Sequence, residues 1–140
     1  MRQILLFAAL AASLALLSGC ALSKAKADTA EDMSDKAAYQ KISAEEASEM
    51  MASQEVVVVD VRTREEYDGG HIENAVLVPN ENIGSEMPEA LPDKEAPLLV
   101  YCRSGRRSKD AAEKLLALGY QSVYDFGGVI DWPYELVKEG

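Results

Sequence analysis

The stretch LLVYCRSGRRS, from Leu98 to Ser108, decides how the chain folds. It opens with four apolar or aromatic residues after Pro97, a pattern typical of a buried strand. Cys102 follows the strand directly, and a short loop with Gly105 comes next. Ser108 can then cap the N-terminus of a helix. The stretch therefore predicts a strand, a loop and a helix, with one thiol at the end of the strand.

The segment after Ser108 has the apolar spacing of a helix and ends at Gly119, a residue type that commonly stops helices. The apolar positions are Ala111, Ala112, Leu115, Leu116 and Leu118. We expect one amphipathic helix here, with its N-terminus beside the thiol.

A thiol in this place has a distinctive chemical environment. The first N–H groups of a helix lack intrahelical partners, and the helix dipole favours negative charge there. Three arginines, Arg103, Arg106 and Arg107, add positive charge. Such surroundings lower the pKa of a cysteine and can bind an oxyanion of sulfur or phosphorus. A buried, inert cysteine is the alternative, but the glycine and the three arginines favour a reactive thiolate.

Strand-like and helix-like segments alternate along the chain. The predicted strands are Tyr39–Ile42, Val56–Asp60, Ala75–Val78, Leu98–Tyr101 and Val123–Asp125. The predicted helical segments are Ser43 to about Ala52, Thr63 to Gly69–Gly70, one or two irregular turns in Ser85–Leu91, the helix after Ser108, and Val129–Lys138. Capping boxes at Ser43 with Glu46 and at Thr63 with Glu66 mark two helix starts. The alternation predicts an α/β fold, a mainly parallel sheet with helices on both faces. Ligands bind such sheets beyond the carboxyl ends of the strands, where Cys102 is expected.

Three segments resemble one family. The loop CRSGRR, Cys102–Arg107, resembles the active-site loop C-x-x-G-x-R of the rhodanese-like sulfurtransferases. Asp60–Pro79, DVRTREEYDGGHIENAVLVP, resembles the D-V-R … E-Y … G-H-I … A … P stretch of that family. Gly127, Gly128 and Trp132 resemble its G-G-x-x-x-W. The departure at Glu73-Asn74, where the family often has Pro-Gly, lies in a turn.

The resemblance implies a rhodanese-like fold and a sulfurtransferase that forms a persulfide on Cys102. It implies that the donor and the persulfide are held by Arg103, Ser104, Gly105, Arg106 and Arg107. The C-R-x-G-x-R form looks more like the thiosulfate-using branch of the family than the mercaptopyruvate-using branch. The expected partners are a small anionic sulfur donor and an acceptor that is a thiol or cyanide, and no cofactor is implied.

Two other functions remain open. The related fold of cysteine phosphatases and arsenate reductases places its arginine six positions after the cysteine, whereas here Ser108 occupies that position and Arg107 comes five after. The shorter loop disfavours a tetrahedral phosphate. A carrier or partner-binding module is the second alternative, although inert members of the family usually lack the cysteine.

Other polar residues have structural interpretations. Asp60 and Arg62 can support the site, but a structural pair or contacts with loop backbone are favoured. His71, the single histidine, is expected to stabilise a turn, and a role as general base is the less favoured alternative. One histidine with two separated cysteines predicts no metal site. Trp132 is expected to pack in the core or at the pocket rim, and Gly127-Gly128 to let the backbone approach the loop.

The N-terminus indicates export. Residues 1–19 have a basic head and an apolar run ending in Leu-Ser-Gly before Cys20, which resembles a bacterial lipoprotein signal peptide. We expect lipid on Cys20, a flexible tether over 20–38 and one domain over 39–140. Ala21 favours the outer membrane, facing the periplasm, in a Gram-negative cell. A Cys20–Cys102 disulfide is the disfavoured alternative, and an uncleaved membrane anchor is another.

The charge balance is acidic, with a formal net charge of −10. This balance argues against nucleic acid and anionic lipid as partners. The basic cluster around Cys102 is then a local exception that fits a small anion. We expect a monomer.

Overall fold

The computed structural model describes residues 38–139, so the predicted signal peptide, Cys20 and nearly all of the tether lie outside the described residues. Strands and helices alternate along this range. In chain order the elements are β1 (Ala38–Lys41), α1 (Ala44–Ser53), β2 (Val57–Asp60), α2 (Arg64–Asp68), β3 (Val76–Leu77), a 3-10 turn (Asn80–Asn82), β4 (Leu98–Cys102), α3 (Arg106–Ala117), β5 (Ser122–Gly128) and a second 3-10 turn (Val129–Asp131).

The strands form a single five-stranded sheet in the order β1-β5-β4-β2-β3. Each neighbouring pair is parallel, so the carboxyl ends of the strands lie at one edge. This confirms the predicted parallel sheet. β4 occupies the centre, and Cys102 is its last residue, at the edge where such sheets bind ligands.

Helices cover both faces of the sheet, as the sequence predicted. Leu98, Val100 and Cys102 of β4 pack with α3 on one face. Leu99 and Tyr101 alternate to the other face, where α1 and α2 pack. All five residues of β4 are buried, because a central strand with helices on both sides has no solvent-facing side chains.

Both capping boxes are present. The Ser43 hydroxyl accepts from the Glu46 N–H at 3.1 Å, and the Glu46 carboxylate accepts from the Ser43 N–H at 2.8 Å. The corresponding Thr63 and Glu66 distances are 3.3 and 3.1 Å. Two helix starts were therefore correctly predicted from spacing alone.

The predicted start of the main helix is wrong. Its N-cap is Gly105, at φ 101°, and Ser108 lies inside the first turn of α3. The Ser108 hydroxyl donates instead to Asp125 on β5 at 2.7 Å, a contact between distant parts of the chain. Because the left-handed region favours glycine, Gly105 can turn the loop into the helix without a side-chain cap.

Two other helical predictions are confirmed only in part. The segment Ser85–Leu91 makes one turn, closed by the Leu91 N–H and the Pro88 carbonyl at 3.0 Å, and the helical turn lies earlier, at Asn80–Asn82. The predicted helix Val129–Lys138 is limited to Val129–Asp131. Pro133 disfavours helical backbone at Trp132, which has a ψ of 113°.

Beyond Pro133 the C-terminal segment is extended. Val137 exchanges two backbone hydrogen bonds with His71, of 2.8 and 2.9 Å, in an isolated antiparallel bridge. Across residues 38–139, the helices are too short or too polar to cross a membrane.

Candidate active site around Cys102

The thiol of Cys102 lies inside the loop that joins β4 to α3. The residue is 1% exposed, and its Sγ accepts a hydrogen bond from the Gly105 N–H at 3.0 Å. Ser104 and Arg103 are exposed, so the loop itself faces solvent. The structure therefore places the Gly105 N–H, which belongs to the loop that the sequence singled out, at the sulfur.

Two glycines of β5 make room for this loop. Gly127 has a φ of 89°, and its Cα would lie 3.5 Å from a Cβ placed on Gly105. A Cβ on Gly128 would lie 2.6 Å from the Ser104 Cα, well inside contact distance. The predicted role of Gly127-Gly128, close approach of the backbone to the loop, is confirmed.

Hydrogen bonding to the sulfur outweighs burial. Burial disfavours the charged thiolate, but the backbone N–H groups near the sulfur, first those of Ser108 and Gly105, lower the pKa of Cys102 below its ordinary value. These donors belong to the loop and the first turn of α3. A thiolate held this way is a nucleophile.

The three arginines of the loop differ in their surroundings. Arg107 donates to both oxygens of Glu66, at 2.7 and 2.8 Å, and hydrogen bonding to Arg107 is the main reason that the pKa of Glu66 falls to about 2. Arg103 and Arg106 are exposed and form no ion pair within residues 38–139. Arg103 and Arg106 therefore have charge to offer an incoming anion, whereas the charge of Arg107 is balanced by Glu66.

A groove of about 360 Å³ adjoins the loop. Arg103 forms one part of its wall, and Ile130, 62% exposed, forms another. The remaining lining residues are Arg62, Glu65, Glu66, Gly69, Gly70, Val129 and Leu136. Arg103 directly follows Cys102, so the groove lies next to the loop that carries the thiol.

Asp60 and Arg62 form the structural pair that the sequence favoured. The Arg62 guanidinium donates to the Asp60 carboxylate at 2.6 to 3.0 Å and to the Gly70 carbonyl at 2.8 Å. The Tyr101 hydroxyl donates to Asp60 at 2.7 Å and accepts from the Ile72 N–H at 3.1 Å. This buried network lies beneath the loop after α2 and holds that loop against the end of β4.

His71 and Trp132 also have structural roles. The His71 ring stacks on Tyr67 at 3.6 Å, and its Nδ1 lies 2.9 Å from the Tyr67 carbonyl oxygen. Trp132 packs against Phe126, with ring centroids 5.6 Å apart. Neither residue is among those that border the groove. The turn-stabilising interpretation of His71 and the packing interpretation of Trp132 are confirmed.

Sequence reasoning missed Asp125. Its side chain is 1% exposed and accepts hydrogen bonds from Ser108 and Gly127, at 2.7 and 2.8 Å, and from Tyr39 and Lys41, at 2.7 and 3.3 Å. The one signal in the sequence was an acidic residue inside an otherwise apolar or aromatic strand. A buried carboxylate needs several donors, which only the folded chain reveals.

Comparison with known proteins agrees with this geometry. The family model of the Rhodanese-like domain matches residues 43–133. A tRNA uridine(34) hydroxylase from Hamiltonella defensa is 34% identical over 113 residues, which cover 76% of this chain and 32% of that protein. The chain therefore spans about a third of the length of the curated relatives it matches.

Solved structures show the same architecture. A rhodanese with anions from E. coli is 34% identical, with a TM-score of 0.56, and the match covers 61% of this chain and 100% of the other. The human single-domain sulfurtransferase TSTD1 is 26% identical, with a TM-score of 0.59, over 66% of this chain and 93% of the human one.

Proposed function

Because the chain belongs to the rhodanese-like domain family, we propose that it is a sulfurtransferase that carries sulfane sulfur on Cys102, with thiosulfate as the donor. The observation that supports this proposal most directly is the hydrogen bond of 3.0 Å from the Gly105 N–H to the Cys102 sulfur. It lies in a loop whose donors favour the thiolate and, by the same geometry, a terminal persulfide sulfur.

The first step loads the cysteine. The Cys102 thiolate attacks the outer sulfur of thiosulfate, a new S–S bond forms, and the old S–S bond breaks. Sulfite leaves with the electron pair of the broken bond, and the persulfide anion keeps one negative charge. The step needs no proton transfer, so no general base is required.

The second step empties the cysteine. A thiolate or cyanide attacks the terminal sulfur of the persulfide, and Cys102 leaves as the thiolate with the electron pair. The acceptor is proposed to approach along the groove lined by Arg103, the residue that follows Cys102. Because the two reactants use the cysteine in turn, ping-pong kinetics are expected.

Arg103 and Arg106 are the proposed ligands of the anionic donor. Both are exposed, and each lies within four residues of the nucleophile. Arg107, in the first turn of α3, instead pairs with Glu66 of α2. The proposal thus divides the arginines into two that bind the anion and one that fixes the loop.

The curated relatives are named for a tRNA reaction, and we do not extend it to this chain. The match covers about a third of those proteins, and a net charge of −10 disfavours a polyanionic partner. A phosphatase reaction is disfavoured by the short loop. A carrier that passes sulfur to one protein partner would use the same persulfide.

Export and anchoring complete the proposal. We propose that Cys20 is lipidated after cleavage, that the domain acts as a monomer at the periplasmic side of the membrane, and that the segment to residue 38 is its tether. Growth with a clickable fatty acid should label the chain and place it in the membrane fraction. Cys20→Ser should abolish the label, and a label that persists in this variant would refute lipidation at Cys20.

The sulfur chemistry is tested by intact mass. The sample is the full chain with Cys20→Ser, in which Cys102 is the only cysteine, before and after thiosulfate. We expect a gain of one sulfur atom that cyanide or a thiol removes, and no gain in Cys102→Ser. A chain that gains no sulfur from thiosulfate contradicts the proposed donor.

A further inference from the structure

Asp125 joins three elements through one buried carboxylate. Oδ1 accepts from the Ser108 hydroxyl at 2.7 Å and from the Gly127 N–H at 2.8 Å. Oδ2 accepts from the Tyr39 hydroxyl at 2.7 Å and from Lys41 Nζ at 3.3 Å. β1, β5 and the first turn of α3 are therefore fixed to one another at this point.

The contact with Ser108 leads directly to the nucleophile. Ser108 is fully buried, and hydrogen bonding from its backbone N–H is the largest influence that lowers the pKa of Cys102 against the effect of burial. The hydroxyl carries one proton, and the shortest of its contacts with acceptors is the one with Asp125. Asp125 thus contacts the first turn of α3 at the residue whose backbone influences the sulfur most.

The contact with Gly127 acts on the other side of the loop. Gly127 lies against Gly105, whose N–H donates to the Cys102 sulfur. Oδ1 of Asp125 accepts from both the Gly127 N–H and the Ser108 hydroxyl, so the carboxylate links the end of β5 to the first turn of α3. The segment that packs against the Gly105 donor and the first turn of α3 are therefore supported by the same side chain.

We propose that Asp125 is a positioning residue for sulfur transfer, which keeps the N–H groups of the loop and of α3 directed at the Cys102 sulfur. This inference rests on the proposed function only for its consequence in sulfur transfer. The geometric part concerns the thiolate itself and can be tested without any sulfur donor.

A charge effect of Asp125 and a positioning effect of Asp125 would change the pKa of Cys102 in opposite directions. Tyr39 and Lys41 face Asp125 from β1, and Glu113 of α3 lies near Tyr39. Arg107, paired with Glu66, faces the thiol from α3. If Asp125 acted only as a buried negative charge, its removal would stabilise the thiolate and lower the pKa of Cys102. A positioning role predicts a change in the opposite direction.

The first experiment follows iodoacetamide alkylation of the full chain with Cys20→Ser, across pH. Asp125→Ala should raise the pKa of Cys102 by about one unit, which slows alkylation about tenfold at pH values below both pKa values and leaves it unchanged at pH values above them. Asp125→Asn keeps an oxygen that can accept from Ser108 and Gly127, so it should retain most of the wild-type profile. Asp68→Asn, in an exposed ion pair, is the matched control and should change nothing.

Two results would overturn the proposal. A lower pKa in both Asp125 variants would show that the residue acts as a charge. An unchanged pKa with a lower melting temperature would show that it is only structural. If Asp125→Ala does not fold, the Ser108→Ala variant tests the proposal in its place. Ser108→Ala should also raise the pKa of Cys102. An unchanged alkylation profile in this variant would contradict the proposal.

A double-mutant cycle and sulfur loading complete the test. If Asp125 acts through Ser108, the two alanine substitutions combined should raise the pKa less than the sum of their separate effects. Additive effects would contradict that route. Thiosulfate loading should slow in parallel with alkylation in Asp125→Ala. If the parent chain takes up no sulfur, the proposed function fails, whereas the alkylation profiles still decide the role of Asp125.

Discussion

Both guanidinium Nη atoms of Arg107 donate to the carboxylate of Glu66, at 2.7 and 2.8 Å. The same carboxylate accepts from the Thr63 N–H at 3.1 Å, at the start of α2. One side chain therefore caps a helix and fixes the last arginine of the loop. This relationship connects the segment after β2 to the segment after β4.

Glu66→Gln separates these two tasks. Glutamine can still form the capping box, but it carries no charge for Arg107. We expect a loss of about 1–2 kcal/mol in the free energy of unfolding, since both partners are partly buried and the pair is bidentate. Urea titration measures the loss. Glu65→Gln, at the exposed neighbour, should change stability by less than about 0.5 kcal/mol, and equal losses in the two variants would count against the ion pair.

The same pair predicts a pH dependence. The pKa of Glu66 is about 2 in the folded chain, against 4.5 for a glutamate without these contacts. A lowered folded pKa contributes stability that is fully present above the unfolded value and is lost as pH falls through the folded value. The stability difference between the wild type and Glu66→Gln should therefore be constant above about pH 5 and shrink toward pH 2. A difference that stays constant over this range would contradict the assignment.

Gly128 tolerates no side chain. A Cβ there would lie 2.6 Å from the Ser104 Cα and 2.7 Å from the Arg103 carbonyl carbon, and backbone atoms cannot move aside cheaply. Gly128→Ala should cost more than about 3 kcal/mol or prevent folding. Gly84→Ala is the matched control, because nothing lies within 4 Å of its Cβ position. Thermal unfolding of both variants tests this prediction, which fails if their melting temperatures agree.

Tyr101→Phe removes one hydroxyl from a buried network. The Ile72 N–H loses its acceptor, and Asp60 loses a donor. An unsatisfied buried group costs about 1–3 kcal/mol, so a loss of this size is expected in urea titration. Tyr124→Phe on the adjacent strand is the control, since the Tyr124 hydroxyl has no hydrogen-bond partner in the described range. Equal stability of the Tyr101→Phe variant and the wild type would contradict the importance of this hydroxyl.

Substitutions of the three arginines should differ in their effect on the KM for thiosulfate. Arg103→Gln and Arg106→Gln should each raise the KM for thiosulfate about two- to tenfold, because each removes a solvent-exposed charge from the anion site. The effect should fall with added salt. Arg107→Gln should mainly lower stability. Steady-state assays at two ionic strengths measure the KM of each variant. A change in KM that does not depend on salt would exclude a simple charge effect.

Local patterns predicted much of this fold. The capping boxes at Ser43 and Thr63 and the apolar run before Cys102 depend on residues close in sequence, and all three predictions are confirmed. The parallel sheet followed from the alternation of these elements. The role of Gly127-Gly128 was also recognised, because adjacent glycines allow two backbone segments to approach more closely than side chains would permit.

Long-range contacts account for the failures. Ser108 looks like a cap in sequence, yet its hydroxyl is taken by Asp125, 17 residues away. The segment after Val129 has helical apolar spacing, but Pro133 and the bridge between Val137 and His71 make it extended. Of the site, the position of Cys102 at the end of a strand and just before a helix was predicted correctly. The pairing of Arg107 with Glu66 was not predicted, because nothing in either segment specifies its partner.

Residues near the two ends of the described range make contacts that a shortened fragment would lose. The family match starts at residue 43 and ends at 133. A fragment cut at those limits would lack Tyr39 and Lys41, half of the donors to the Asp125 carboxylate, and Val137, which pairs with His71. If Asp125 has the proposed role, expression clones trimmed to the family boundaries should have a Cys102 thiol with a changed pKa, and measurements on them would not describe the longer chain.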